Sequence, residues 1–225
     1  EIDATDLVME ATGGVAFTAT VYPNDGYMPF AVGRLGSGGE TDGTFGDDGL
    51  TFPSGMGNSD TVGEAIDISP DGKLVAVGYE QHGFGSVYPL VYRLSADGSE
   101  DKSFRPQGRF AIENLGFDDL AVLPDRSVVA VGETIFHGNH GIAVDVVRKY
   151  RPNGKLDRNF GNKGDVRLKG LEGEVNVELR KVVLDGTKIL VAGSRRYHFF
   201  VARLNSQGEL DRSFGKDGVV TVRRF

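Results

Sequence analysis

One motif recurs four times along the chain and constrains its fold more than any other feature. Each copy has a large apolar residue, a phenylalanine ten positions later and a glycine four positions after that. The phenylalanines are Phe45, Phe104, Phe160 and Phe214, which lie 59, 56 and 54 residues apart. A period of this length indicates repeated supersecondary units, each needing its neighbours to cover its apolar face. We therefore predict one domain, residues 1–225, with repeats at approximately 1–53, 54–114, 115–170 and 171–225.

Every repeat has the same order of short apolar segments and turns. In the third repeat, apolar residues 120–123 precede a Pro-Asp-Arg turn, and the β-rich segment 128–132 follows it. A loop of variable length then leads to a segment ending at Tyr150, before an Asn-Gly turn. No stretch has a sustained helical period with caps. Four strands per repeat, four times over, predict an all-β fold, a four-bladed β-propeller.

The outermost strand of each blade has two candidate positions. In the third repeat it is either residues 156–160 or residues 165–168. The tight Asn153-Gly154 turn favours a hairpin that leads directly into 156–160.

The chain begins where the first apolar segment of a repeat begins, and it ends just after the stretch that precedes this segment in the other repeats. We expect a closed four-bladed ring in which residues 219–225 pack on the first repeat, because closure protects sheet edges. The alternative is a piece of a longer propeller, cut at repeat boundaries.

Composition excludes several classes of function. The net charge of −7 and the pI of about 5.1 argue against a nucleic-acid partner. The chain has no cysteine, which excludes disulfides and thiolate chemistry. No apolar run is long enough to span a bilayer, so membrane insertion is not expected. The first residue is Glu1 rather than Met, which is compatible with processing and secretion.

Two segments carry a family resemblance. Residues 208–220, GELDRSFGKDGVV, and residues 69–78, SPDGKLVAVG, resemble the bacterial delta-60 repeat. The resemblance covers essentially the whole chain, with departures at Thr12-Gly13 and Arg105-Pro106. It implies a propeller-type repeat of large bacterial surface or exported proteins, and hence an extracellular, periplasmic or cell-surface location. It brings no established catalytic residues.

The Asp-x-x-Phe part of the motif favours a structural role. One aspartate per repeat can accept turn N–H groups, while the phenylalanine fills the wedge between blades. A calcium loop needs six or more oxygen ligands, and only the first copy, with Asp42, Asp47 and Asp48, approaches that number.

Acidic residues recur just before the first apolar segment of each repeat. They are Asp6, Glu64, Asp118 and Glu178. If this segment is the innermost strand, the four carboxylates ring one mouth of the central channel. Like charges so close would raise one another's pKa or recruit a cation, which predicts a site for Ca²⁺ or another cation; the alternative is four solvated carboxylates.

The variable loops occupy the same place in every repeat and should project from one face, which we call the variable-loop face. Loops on a rigid scaffold often carry function, and tyrosine and arginine are typical anchors of binding sites. The predicted ligand-binding residues are Tyr27, His82, Phe136, His137, His140, Arg196, Tyr197 and His198. The alternative is a set of ordinary surface loops. His137 and His140 could also share a metal ion, although an incidental role is favoured because no further ligands are evident.

These features predict a monomeric, non-catalytic binding module for a protein or glycan, with no cofactor beyond the channel cation. No nucleophile elbow, zinc motif or phosphate-binding loop appears in the sequence. The alternatives are a metal-assisted hydrolase with its site at the channel mouth and a structural spacer of a larger surface protein.

Overall fold

The computed structural model describes residues 1–24, 26–53, 59–82, 86–105, 108–109, 114–134, 145–168, 177–195 and 198–223. Within these ranges the chain forms sixteen strands in four antiparallel sheets, and the strands of each sheet pair in chain order. The first sheet contains β1 (Ile2–Met9), β2 (Val15–Val21), β3 (Phe30–Leu35) and β4 (Leu50–Thr51). The second contains β5 (Asp60–Ile68), β6 (Leu74–His82), β7 (Ser86–Leu94) and β8 (Gly108–Arg109). The third contains β9 (Leu115–Val122), β10 (Val128–Thr134), β11 (Asp145–Tyr150) and β12 (Asp165–Val166). The fourth contains β13 (Val177–Asp185), β14 (Lys188–Arg195), β15 (His198–Leu204) and β16 (Val219–Arg223).

This architecture confirms the all-β prediction, and four four-stranded sheets are consistent with four blades. The second strands of the sheets are rich in β-branched residues, and β6 is buried along residues 74–78. Such a continuous apolar run suits a strand that is covered on both faces. No helix in the described ranges is long and apolar enough to cross a membrane.

The first strands form the inner edges of the sheets. β1 lies against β5, β5 against β9, and β9 against β13. Three apolar clusters fill the spaces between consecutive sheets. The apolar segments before the Asp-Gly-type turns are therefore the innermost strands, as the channel-mouth hypothesis required.

The predicted outermost strand is wrong and its alternative is correct. In the third sheet the fourth strand is Asp165–Val166, which pairs with Val147 and Arg148 of β11. The 156–160 segment makes only an isolated bridge, between Tyr150 and Leu156. The reason is that Phe160 must turn inward to fill the core, and Gly161 and Gly164 then reverse the chain at positive φ.

The recurring phenylalanine forms a joint between consecutive sheets. Phe45, Phe104 and Phe160 are fully buried, each packing among apolar residues of the following sheet. At the first joint the Arg34 guanidinium lies 4.9 Å from the Phe45 ring centre and donates to the Ala96 carbonyl of the second sheet's turn. The Gly46 N–H donates to the Asp97 carbonyl of the same turn. Equivalent backbone bonds join Arg105 to Asn153 and Gly161 to Gln207, so the motif acts as a structural connector, as predicted.

The aspartate of the motif also behaves as predicted. Asp101 Oδ1 accepts the backbone N–H and the hydroxyl of Ser103, and its Oδ2 accepts from Arg93 and Lys73. Asp42 makes the corresponding bonds with Thr44 and Arg34. These carboxylates therefore hold the turn and the arginine that caps the buried phenylalanine.

The expected ring closure is not seen in the described residues. All extensive contacts between sheets join consecutive sheets, and none joins the fourth to the first. Val219–Arg223 pairs with β15 rather than packing on the first repeat, and residues 224–225 lie outside the described ranges. Apolar side chains on both terminal sheets are correspondingly exposed, including Leu7, Met9, Val183 and Val222.

Candidate functional site

The innermost strands share a bulge at the inner edges of the sheets, and in three of the four sheets the bulged residue is charged. The pairing of each first strand with its second strand skips one residue at the same place. The skipped residues are Thr5, Glu64, Asp118 and Arg180. A bulge re-aims a side chain out of the regular alternation of a strand. In three sheets the second strand has a glycine opposite the bulge, and a Cβ on Gly78, Gly132 or Gly193 would lie 1.9 Å from a carbonyl oxygen of the bulged strand. In the first sheet Ala19 occupies this position.

This register changes the set of equivalent acidic positions. Glu64 and Asp118 are equivalent, but their counterpart in the fourth sheet is Arg180 and not Glu178. The cause is the place of the Asp-Gly dipeptide in the hairpin. Asp71 is the third residue after Ile68, whereas Asp185 directly follows Leu184, the counterpart of Ile68. A count back from the dipeptide therefore reaches Glu178, two positions before the bulged residue.

Asp6 has a different structural role from Glu64 and Asp118. Its Oδ2 accepts the backbone N–H of Ile66 in the next sheet at 3.0 Å. Asp119 accepts the Val182 N–H in the same way, and Asp67 accepts that of Val122. These carboxylates link neighbouring inner strands.

The acidic bulge cluster consists of Glu64, Asp118, Glu133 and Asp145. Asp118 Oδ1 accepts a hydrogen bond from Arg180 at 3.1 Å, and the same guanidinium lies 3.5 Å from Glu178 Oε2. Asp118 Oδ2 is buried, and no described group donates a hydrogen bond to it. One arginine from the fourth sheet thus faces carboxylates contributed by the second and third sheets.

Burial, together with the crowding of like charges, raises the pKa of three of these carboxylates. Burial is the largest cause that raises the pKa of Glu64 to about 6, with the charge of Asp118 adding to it and Arg180 opposing it. Burial likewise raises the pKa of Asp118 to about 6, against the opposing charge of Arg180. Burial and the charge of Glu133 raise the pKa of Asp145 to about 6, although Asp145 accepts the Leu179 N–H at 2.6 Å. Glu64, Asp118 and Asp145 therefore remain protonated to a higher pH than ordinary carboxyl groups do.

Replacing Glu64 by glutamine is expected to stabilise the protein at pH 7.5 and to leave its stability unchanged at pH 3.5. The folded protein holds the Glu64 proton more tightly than the unfolded chain, so this group lowers stability as pH rises from about 4.5 through 6. Because Glu64 is only half-buried, solvent screening limits the gain to about 1 kcal/mol. That gain corresponds to a rise of roughly 2–4 °C in Tm for a domain of this size.

Thermal unfolding followed by circular dichroism at both pH values measures this difference. Glu100→Gln is the control, since Glu100 is exposed and its replacement should alter Tm at neither pH. An equal change for Glu64→Gln at pH 3.5 and 7.5 would contradict the electrostatic cause.

The described residues do not assemble the predicted metal site. They contain no group of three or more histidine, aspartate or glutamate side chains placed to hold a metal ion. Glu64 and Asp118 are brought close enough to interact, whereas Asp6 links two strands and Glu178 contacts Arg180 and Ser194. The four predicted metal ligands are therefore divided between structural and cluster positions.

The predicted ligand-binding residues fall partly outside the described ranges. Phe136, His137, His140, Arg196 and Tyr197 lie outside them. Tyr27 is exposed in the β2–β3 connection, and His198 opens β15 with a buried Nδ1 that has no hydrogen-bond partner among the described residues. His82 Nε2 lies 2.7 Å from Glu80 Oε1, with the His82 ring edge-on to Tyr88.

Both candidate regions lie towards one end of the sheets. The connections between second and third strands leave each sheet where its first strand begins, as the pairing of Ile2 with Val21 shows. Glu133 and Asp145 form the last residue pair between β10 and β11 before the connection that joins these two strands. The acidic bulge cluster therefore occupies the half of the sheets that leads to the variable-loop face.

Sequence reasoning did not include Glu133, Asp145 or Arg180 in the site. Arg180 lies two positions after Glu178. A count back along the chain from Gly193, with one residue fewer for the shorter fourth hairpin, identifies Arg180 as the counterpart of Glu64. Glu133 and Asp145 sit at opposite sides of a connection that hides their pairing in the linear sequence. No sequence signal could have brought them together.

A sequence profile of the DUF5122 β-propeller, a domain of unknown function, matches residues 69–104 and 188–214. This match supports a β-propeller repeat. The two stretches end at Phe104 and Phe214, the second and fourth phenylalanines of the motif, and contain the two strands before each of them. No curated protein sequence matches the chain.

The solved structures that resemble the chain include the following three. A protein assigned as a gluconolactonase is 17% identical, with 89% of this chain and 57% of that chain covered and a TM-score of 0.46. The Nup133 β-propeller domain of Vanderwaltozyma polyspora is 11% identical, with coverages of 100% and 64% and a TM-score of 0.42. The α-L-arabinanase of Cellvibrio cellulosa is 12% identical, with coverages of 89% and 72% and a TM-score of 0.40. The chain thus spans less than two thirds of the first two structures.

Proposed function

We propose that this chain is a non-catalytic binding module that recognises a protein or glycan through the variable-loop face. In this proposal a cationic group of the ligand, or a bound cation, is held by the acidic bulge cluster. The observation that carries the proposal is the meeting of Glu64 and Asp118, each with a pKa raised to about 6, at the guanidinium of Arg180, which donates to Asp118 Oδ1 at 3.1 Å.

The charge balance of the cluster favours a cationic ligand. Burial makes ionisation of these carboxylates unfavourable, and an added positive charge relieves that cost. Asp118 Oδ2 offers an acceptor to which no described group donates. An ammonium, a guanidinium or a divalent ion would supply the missing positive charge.

Arg180 would act as an internal counter-ion that a ligand displaces. Its side chain is half-exposed and reaches both Asp118 and Glu178. An exposed ion pair contributes little to stability, so moving the guanidinium aside costs little. Removing it should therefore increase affinity for a cation rather than decrease it.

Calorimetric titration with CaCl₂, MgCl₂ and a lysine-rich peptide at pH 7.5 and 5.0 tests the proposal. We expect heat at pH 7.5 with at least one probe, and at least tenfold weaker binding at pH 5.0, where the carboxylates are largely protonated. Asp118→Asn should weaken binding at pH 7.5, whereas Arg180→Met should strengthen it. Glu100→Gln, an exposed carboxylate outside the cluster, is the control and should change nothing.

The absence of heat and of any melting shift with all three probes would contradict a cationic ligand. A glycan screen then tests the variable-loop face alone, with His82→Ala and Tyr27→Ala as the variants. If neither probe set binds, the spacer role becomes the better explanation.

A hydrolase is the second candidate because raised carboxylate pKa values also suit general acid catalysis. Glu64 and Asp118 would be its acid and base. Incubation with generic ester and glycoside substrates tests this role, and any turnover should be lost in Glu64→Gln. Ligand capture without turnover would leave the binding module as the function.

We also propose that the protein is bacterial and works outside the cytoplasm, as an exported or surface protein. This location rests on the resemblance of residues 208–220 to the delta-60 repeat. Fractionation of the producing cells, with detection in the periplasm, cell surface or medium, tests it.

A further inference from the structure

The two terminal sheets carry complementary halves of the joint that connects all other sheets. At each internal joint a phenylalanine packs on four apolar positions of the following sheet, which we call its seat. The internal seats are formed by Ile66, Leu74, Ala76 and Leu94; by Leu120, Val128, Ala130 and Tyr150; and by Val182, Ile189, Val191 and Leu204.

The first sheet has an open apolar counterpart of these seats, in which Phe17 stands where the internal seats have Ala76, Ala130 and Val191. Strand pairing makes Leu7, Val15, Phe17 and Leu35 the counterparts of the internal seats. These four residues line an open cavity of about 480 Å³. Leu7 is 63% exposed, whereas its counterparts Ile66, Leu120 and Val182 are 4%, 5% and 3% exposed.

The fourth sheet has a phenylalanine without a seat. Phe214 is only partly buried, in contrast to the three internal copies. Phe199 is half-exposed, although its counterpart Phe30 is fully buried against the second sheet. The Arg203 guanidinium lies 4.8 Å from the Phe214 ring centre, in the arrangement of Arg93 and Phe104.

The hydrogen-bonding groups of the joint are also split between the two terminal sheets: the donors lie on the fourth sheet and the turn that would accept from them lies on the first. Where Arg34 and Arg93 donate to a turn carbonyl of the next sheet, Arg203 turns back to Asp185 of its own sheet at 3.3 Å. No described acceptor receives the Gly215 N–H, the counterpart of Gly46. In the first sheet, nothing lies within 4 Å of a Cβ built on Gly39, whereas its counterpart Gly98 lies against Gly46 and Phe45.

We propose that a second copy of this chain completes the joint, head to tail. Phe214 of one copy occupies the Leu7, Val15, Phe17 and Leu35 seat of the other. Arg203 and the Gly215 N–H donate to the carbonyls of Ser37 and Gly38, as their counterparts do in the internal joints. The match favours a second copy as the occupant, because these two faces are built from one repeated interface and no extensive contact joins them among the described residues of one copy.

Two copies satisfy both faces of each chain. A head-to-tail interface closes into a ring or continues as a filament, and a ring of eight four-stranded sheets lies within the range of propellers. Charge supports the contact, since Glu10 and Glu40 flank the turn that would receive Arg203. One internal link has no counterpart, because Lys181 stands where Asp6 and Asp119 link inner strands. The junction is therefore weaker than an internal joint, and its occupancy depends on concentration.

Light scattering coupled to size exclusion, over a concentration series, tests this association. We expect the mass to rise from 24.2 kDa to twice that value and to stop there. Phe214→Asp and Leu7→Asp should each weaken dimerisation at least tenfold while leaving the far-UV spectrum unchanged, because Leu7 is exposed and Phe214 is only partly buried in the single copy. Tyr27→Asp, an exposed aromatic outside both faces, should dimerise like the unmodified chain.

Mixing the two variants identifies the head-to-tail geometry. The Phe214→Asp copy keeps an intact seat and the Leu7→Asp copy keeps an intact phenylalanine, so their mixture should recover one of the two joints. Because the chain has no cysteine, Ser37→Cys and Ser213→Cys copies can be joined by a short bis-maleimide. Cross-linked dimer should form in their mixture and not with Ser37→Cys alone.

Three results would overturn the closed dimer. One is a mass that stays at 24.2 kDa at all concentrations. If Phe214→Asp also lowers the Tm of this monomer, the phenylalanine joins the first sheet within one chain. Another is a mass that continues to grow, which would indicate a filament. The third is a dimer that Phe214→Asp and Leu7→Asp both leave intact.

Discussion

Phe104→Ala is expected to lower the free energy of unfolding by about 4 kcal/mol, and the melting temperature by roughly 10 °C. Phe104 is fully buried between the second and third sheets, where it packs with Leu120, Val128 and Tyr150. Removal of a buried phenylalanine side chain costs about 3–5 kcal/mol, because apolar area is lost and a cavity remains. The Arg93 guanidinium, 4.8 Å from the ring centre, would also lose its aromatic partner.

Urea unfolding of the variant beside Tyr27→Ala measures this effect. Tyr27 is an aromatic residue of similar size that is exposed, so its removal should change stability by less than about 0.5 kcal/mol. Phe104→Leu retains most of the volume and should cost only about 1 kcal/mol. If Phe104→Ala were no more destabilising than Tyr27→Ala, the phenylalanine could not be the connector between sheets.

The periodicity of the sequence was enough to predict the sheets but not their arrangement at the ends. A repeated phenylalanine, a repeated Asp-Gly-type turn and apolar segments predicted four all-β units, since each signal is local. The outermost strand was misplaced because the turn at Asn153-Gly154 resembles a hairpin turn. What decides its position is the burial of Phe160, which depends on the following sheet. The expectation of closure rests on the phase of the repeat alone, and phase does not show which side chains the first and fourth sheets present to each other.

The candidate site was predictable only in part, and the reason is again geometric. Glu64 and Asp118 were identified because they precede an apolar segment at a constant distance from a turn. Glu178 is selected in place of Arg180 because the Asp-Gly dipeptide stands two positions earlier in the fourth hairpin than in the second. The bulged residue of the fourth sheet is therefore a cation where an anion was expected. A ring of four like charges therefore becomes a cluster of carboxylates with its own counter-ion.

Arg93→Met should cost about 3 kcal/mol even though methionine keeps the apolar stem over Phe104. Arg93 and Asp101 are both buried, with Arg93 Nε 2.8 Å from Asp101 Oδ2, and Arg93 also donates to the Pro152 carbonyl of the next sheet. Removing one partner of a buried ion pair leaves the other charge uncompensated, which costs about 3–5 kcal/mol. Lys73, 2.6 Å from the same oxygen, remains in place and keeps the loss near the lower limit.

The pH dependence of this loss separates the ion pair from simple packing. Burial opposes ionisation of Asp101, but hydrogen bonds from Lys73 and Ser103 and the charge of Arg93 hold its pKa well below the usual value. Stabilisation by such a carboxylate is present above its unfolded pKa of about 3.9 and disappears as pH falls through the folded value. The difference between Arg93→Met and the unmodified protein should therefore narrow as the pH of a urea titration is lowered from 7 towards 3. Arg151→Met, which removes a half-exposed arginine 3.3 Å from Asp157, should cost less than about 1 kcal/mol at pH 7. A loss for Arg93→Met that stayed constant down to pH 3 would assign the effect to packing instead of charge.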